Sequence, residues 1–184
     1  MADVILFHHA HGLTDGILAL ADDLRAAGHE VTTPDLYDGR VFPTLADGMA
    51  YAEQVGLATL EECGVESAQW LPPELYYLGF CLGAMPAQRL AQQREGARGA
   101  ILYHSAVPVG SYAEQWPEGV ALQLHVMEDD PTGDQEVMRD LAEHAGGELF
   151  TYPGHEHLFT DRSLSDHDPE AAALALERTL ALLA

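Results

Sequence analysis

Short apolar runs bounded by turn residues alternate along the chain with longer segments in which apolar residues recur at helical spacing. That alternation predicts a parallel sheet covered by helices on both faces, since strands buried on two sides read as continuous apolar runs. Six runs carry the strands and their exits: "DVILFHH" (3–9), "HEVTTPDLY" (29–37), "ELYYLGF" (74–80), "GAILYHS" (99–105), "VALQLHVM" (120–127) and "ELFTYPG" (148–154). A helix is expected from Leu13 to Ala27, where Ile17, Leu20, Ala21 and Leu24 share one face and Gly28 is the stop. Others are expected from Thr44 to Cys63, ended by Gly64, from Leu82 to Arg94, from Asp134 to Ala145 before a Gly-Gly pair, and over the terminal "DPEAAALALERTLALLA", with Pro169 near its start. No repeat or linker interrupts the pattern. The expectation is one domain over residues 1–184, an open, doubly wound α/β sheet.

Charge narrows the range of partners. The chain has 30 acidic and 8 basic side chains, a formal net charge of -22, and all of its basic residues are arginine. Such a surface repels phosphate backbones and anionic headgroups, so neither nucleic acid nor a membrane is an expected partner. The acidity itself reads as a solvated, self-repelling surface. The start "MADVILFHHAHG" lacks the flank and apolar run of a secretory signal, and no apolar stretch is long enough to cross a bilayer; a cytoplasmic location and a monomer or small homo-oligomer are expected.

In open α/β sheets, ligands bind outside the carboxyl ends of the strands. Four exits carry reactive side chains: "FHHAHGL" after the first strand, "LGFCLGAM" after the third, "HVMEDDP" after the fifth and "YPGHEHLF" after the sixth. The third places Cys81 between Gly79 and Gly83, where a strand becomes a helix. A nucleophile on so sharp a turn is held outward, and small residues two before and two after it let the backbones pass closely. The amides of the following helix start, beginning with Leu82, favour a thiolate and a developing oxyanion at the same spot. A tight packing turn with Cys81 as small filler is the competing reading. Pro86 requires that the helix begin abruptly, because proline fits only its first turn. A cysteine nucleophile needs a base, and the base an orienting acid; both types follow in the chain, acids in "MEDDP" and histidines in "GHEHLF".

The motif "GFCLGAM", an acid after the fifth strand and "GHEHLF" before the last helix together resemble the dienelactone hydrolase family, whose members are α/β-hydrolases with a Cys, Asp, His triad. The segments "LFHHAHGL", "TPDLYDGR", "FPTLADGMAYAEQVG" and "DPEAAALALE" extend the resemblance over nearly the whole chain. It implies Cys81 as nucleophile, Asp130 as acid, with Asp129 the nearer alternative and Asp134 a distant one, and His157 as base, followed two residues on by Phe159; His155 is the competing base. It also implies an oxyanion hole from the backbone amides of Ala10 and Leu82. The family glutamate that precedes the oxyanion residue is replaced by His9, a candidate for thiol activation. Of the family arginines that grip a substrate carboxylate, Arg40 lies one residue late, and Asp161 stands four after His157 where an arginine would be expected. With an acidic surface besides, the expected substrate is a small-molecule carboxylic ester, lactone or thioester without a recognising cation, and no cofactor is required.

Other readings follow from the same residues. His8, His9, His11, His155 and His157 with a thiolate could bind a soft divalent ion, but no pair has a recognised zinc spacing, and no metal is expected. A glutamine amidotransferase has a similar cysteine turn, yet it pairs histidine with a glutamate two residues on, and here His155 is followed by Glu156 and His157. A non-catalytic binding member of the hydrolase fold is the second alternative. Cys63, His104, His125, Tyr76, Tyr77 and Tyr103 read as structural.

Overall fold

The computed structural model describes residues 1–184. Six parallel strands form one sheet: β1 (Asp3–Phe7), β2 (Glu30–Thr32), β3 (Leu75–Phe80), β4 (Gly99–Tyr103), β5 (Ala121–Met127) and β6 (Glu148–Tyr152), in the order β2-β1-β3-β4-β5-β6. From β1 the chain winds outward to β2, then returns to lay β3 on the other side of β1 and continues to β6. The strand order therefore reverses between β1 and β3, and a crevice opens at their carboxyl ends. No helix is long and apolar enough to cross a membrane.

One face of the sheet is covered by α1 (Asp15–Ala26) and α6 (Pro169–Leu183), which bury Ile17, Leu24, Ala175 and Leu183 against Leu6, Leu78 and Ile101. Each starts where its sequence supplies a cap: the Thr14 hydroxyl accepts from the Ile17 amide, and the Asp168 carboxylate from those of Glu170 and Ala171, with Pro169 in the first turn. The other face carries α4 (Ala84–Gln93) and α5 (Gln135–Ala145), whose Ala87, Leu90, Met138 and Leu141 pack on Phe7, Tyr77 and Leu124.

The expected helix from Thr44 to Cys63 is two helices, α2 (Leu45–Val55) and α3 (Leu57–Ser67). Gly56 breaks it with φ +99, a conformation glycine alone adopts at no steric cost. Gly64 does not end α3. A Cβ there would stand 2.6 Å from the Pro86 side chain, so this glycine lets α3 approach α4. Cys63 accordingly sits within α3 rather than at its end, with its side chain exposed. The helix expected at Leu82 begins as a short 3-10 turn, Cys81–Gly83, before α4; Pro86 then occupies the third α4 position, where no intrahelical N–H is lost.

Candidate active site

Cys81 follows directly on β3 with φ +50, a left-handed conformation that costs a non-glycine residue about 1–3 kcal/mol and is kept where surrounding structure imposes it. The two glycines impose it here. A Cβ at Gly79 would lie 2.4 Å from the Gly83 carbonyl oxygen, and one at Gly83 would lie 2.3 Å from the Phe7 carbonyl oxygen and 2.8 Å from that of His8. The turn is thus pressed against the exit of β1, and Cys81 stays partly exposed at the crevice. Ala10 and Leu82, the two expected oxyanion donors, fall in one buried cluster with Tyr37 and Leu60, and the Ala10 amide takes part in none of the turn and loop hydrogen bonds of the backbone.

His157, on the loop after β6, bridges two groups. Its Nε2 is 3.1 Å from Cys81 Sγ and its Nδ1 is 2.7 Å from Asp130 Oδ2. Asp130 follows β5 and is fixed in turn, since Oδ1 accepts from the amides of Thr132 and Gly133 at 2.8 and 2.9 Å. Burial alone would lower the His157 pKa, but its hydrogen bonds to Asp130 and Cys81 outweigh that and raise it to about 9. Burial likewise acts to raise Asp130, and its bonds to His157 and the two amides reverse the sign, leaving an ionised carboxylate. An anionic acid, an imidazole held in one orientation and a sulfur within its reach can transfer a proton and stabilise the resulting cation.

The alternatives separate by position. Asp129 and Glu128 are exposed, and Asp134 is spent capping α5 through the Val137 amide. His155 is 77% exposed and pairs with Glu156, so it is no base for Cys81. Phe159 is a core residue, buried against the rings of His104 and Tyr152, rather than a substrate contact. Arg40 is exposed, with its guanidinium over the Tyr51 ring.

His9 is not free to act on the thiol. It is fully buried, its Nε2 donates to Asp161 Oδ2 at 2.7 Å and its Nδ1 accepts from the His11 amide at 3.3 Å. Burial lowers its pKa against the pull of Asp161, so the ring is neutral. Asp161 is held well below the usual carboxylate range: burial opposes this, and donors from His9, Ser163 and Thr14 prevail. Sequence reasoning marked Asp161 only as a missing arginine; nothing in linear order signals a partner 152 residues away.

His8 and His125 are also committed through both ring nitrogens. His8 donates from Nδ1 to its neighbour's carbonyl and accepts the Leu36 amide at Nε2, while His125 is bonded by Tyr152 and Gln123. His104 departs from its expected satisfied state, because Nε2 meets Thr160 but the buried Nδ1 has no partner. No group of three His, Cys, Asp or Glu side chains is arranged to hold a metal ion.

A single parallel sheet with a left-handed residue at the β3 turn, an acid after β5 and a histidine after β6 defines an α/β-hydrolase. The chain belongs to the dienelactone hydrolase family, whose model matches residues 1–184. Similar solved structures include a dienelactone hydrolase-like promiscuous phosphotriesterase from metagenomic libraries, 18% identical with a TM-score of 0.78, covering 100% of this chain and 85% of that one. A thermophilic esterase from Thermogutta terrifontis is 16% identical, with a TM-score of 0.67 and coverage of 97% and 80%. A cold-adapted esterase from an Arctic intertidal metagenomic library is also 16% identical, with a TM-score of 0.65 and coverage of 100% and 83%. At such identities the likeness is one of fold. Among curated proteins, none matches the chain by sequence.

Proposed function

We propose that this hydrolase cleaves an uncharged carboxylic ester, lactone or thioester through a covalent intermediate on Cys81. The observation that carries the reading is the placement of His157 between Cys81 and Asp130, at 3.1 and 2.7 Å. His157 takes the thiol proton as Sγ attacks the carbonyl carbon, and the tetrahedral oxyanion lies against the amides of Ala10 and Leu82. Collapse breaks the bond to the leaving oxygen or sulfur, which takes its proton from His157. The neutral imidazole then removes a proton from water, whose attack on the thioester releases the acid and returns the thiol. Asp130 keeps the imidazole in the required tautomer and stabilises its cation. A net charge of -22 disfavours an anionic acyl group. The free thiols suit a reducing compartment, which favours the cytoplasm.

The test is a panel of p-nitrophenyl esters, simple lactones and acyl thioesters of graded chain length, with wild type, Cys81→Ala and Asp130→Asn. Wild type is expected to turn over at least one class, Cys81→Ala to fall to background, and Asp130→Asn to lose about 10²–10⁴ in kcat. No turnover across the panel, or full activity in Cys81→Ala, contradicts the reading; the first result favours a binding protein on the hydrolase scaffold.

A further inference from the structure

The catalytic histidine is carried on the loop that leaves β6, at the far side of the sheet from β1. Four strand spacings separate these strands, or about 19 Å at the usual inter-strand distance. The loop must run back over the carboxyl ends of the intervening strands to bring His157 to Cys81. Four of its side chains make long-range bonds on the way: Arg162 pairs with Asp23 on α1, and the other three reach strand exits. His157 meets Asp130 after β5, Thr160 meets His104 after β4 at 2.9 Å, and Asp161 meets His9 after β1 at 2.7 Å.

The last of these is the most elaborate. Asp161 Oδ2 also accepts the Thr14 hydroxyl at 2.5 Å, at the N-cap of α1, and Oδ1 accepts the Ser163 amide and hydroxyl at 2.8 and 2.6 Å. A Cβ at Gly16 would lie 1.7 Å from Asp161 Oδ1, so the first turn of α1 is seated directly against the carboxylate. Both partners are buried, His9 at 0% and Asp161 at 1% exposure. Ala10 is the next residue after His9.

We infer that Asp161, through His9, is a positioning residue that ties the loop carrying His157 to the loop carrying the Ala10 amide. The bond between Asp161 and His9, backed by the Thr14 contact to the same carboxylate, then holds the base in place relative to an oxyanion donor, two groups whose strands do not touch. The inference rests on the proposed function for its catalytic consequence, but the strap itself can be read without turnover. Removing it is expected to leave substrate binding nearly intact and to misplace the groups that act in the transition state.

The experiment compares wild type, Asp161→Ala, His9→Phe and His9→Gln, the last keeping an N–H that can donate to Asp161. Three readouts are taken: kcat and KM on the ester found active, the pH profile of Cys81 alkylation, and hydrogen exchange of the loop 153–168. Asp161→Ala and His9→Phe are expected to lose about 100-fold in kcat with KM changed little, and their alkylation profiles to approach that of His157→Ala. His9→Gln is expected to stay within about tenfold of wild type. A folded Asp161→Ala with wild-type kcat and alkylation overturns the inference. If Asp161→Ala does not fold, the contrast between His9→Phe and His9→Gln decides, and equal behaviour of the two overturns it. If wild-type Cys81 shows no reactivity that depends on His157, the proposed function fails instead. The strap is then judged by exchange alone, with protection of the loop lost in His9→Phe and kept in His9→Gln; the same protection in both overturns it.

Discussion

His157 Nε2 stands 3.1 Å from Cys81 Sγ across a sequence separation of 76 residues, on a loop that begins three strands from the cysteine's own. A contact made at such cost in chain ordering has a measurable consequence for the thiol. Alkylation by iodoacetamide, resolved by peptide mass, is expected to be faster at Cys81 than at Cys63 near and below neutral pH. The excess is expected to vanish in His157→Ala. Cys63 is exposed and will itself react, so site-resolved labelling or a Cys63→Ser background is needed. Equal rates at the two thiols, or an unchanged Cys81 rate in the variant, count against the pairing.

The elbow depends on backbone contact, which makes Gly83 a sharper probe than the catalytic side chains. Its φ is -66, so alanine suffers no conformational strain there, yet its Cβ would meet the Phe7 carbonyl oxygen at 2.3 Å. Gly83→Ala is expected to cost about 1–3 kcal/mol by urea denaturation and to lower kcat by more than the stability loss accounts for, because the turn must lift away from β1. A variant with normal stability and activity would mean that the elbow is not pressed on that strand.

Stability should pass through a maximum set by two groups of histidines that act with opposite sign. Burial lowers His8 from 6.5 to about 4 and His125 from 6.5 to about 3, and it lowers His104 as well. In that window the unfolded chain binds protons that the folded chain does not, so stability falls as pH drops below about 6.5. His157 acts with the opposite sign: its pKa is raised from 6.5 to about 9, so its contribution is complete below 6.5 and is lost as pH rises through 9. The urea midpoint is expected to peak near pH 6.5, the unfolded-state value the two sets share, and to fall on either side. A midpoint that stays flat from about pH 6.5 down to 4.5 would contradict the buried neutral state of the strand histidines.

The parts of the site written in local spacing were legible in the sequence. Gly79 and Gly83 marked the turn because their separation from Cys81 has a steric meaning, and the six strands followed from apolar runs. Asp130 stood out from its acidic neighbours only by resemblance, and its geometry explains why: Oδ1 is taken up by the two amides that follow it, leaving Oδ2 for His157. Long-range pairing left no such mark. Asp161 looked like a lost cation and is a buried hydrogen-bond hub; His9 looked like a possible activator and has both nitrogens occupied. Phe159, two residues past the base, looked like part of the site and belongs to the core. Gly64 was misread for a related reason: sequence shows that a glycine can end a helix, but not that Pro86 of a neighbouring helix requires one.

The most direct test of covalent catalysis at Cys81 is to mix the protein briefly with p-nitrophenyl butyrate, quench in acid and locate the acyl group by peptide mass. The butyryl group is predicted on Cys81, removable by hydroxylamine and absent from Cys81→Ala, which should also lose turnover. An acyl group on another residue, or undiminished turnover in Cys81→Ala, would contradict a cysteine nucleophile in this fold.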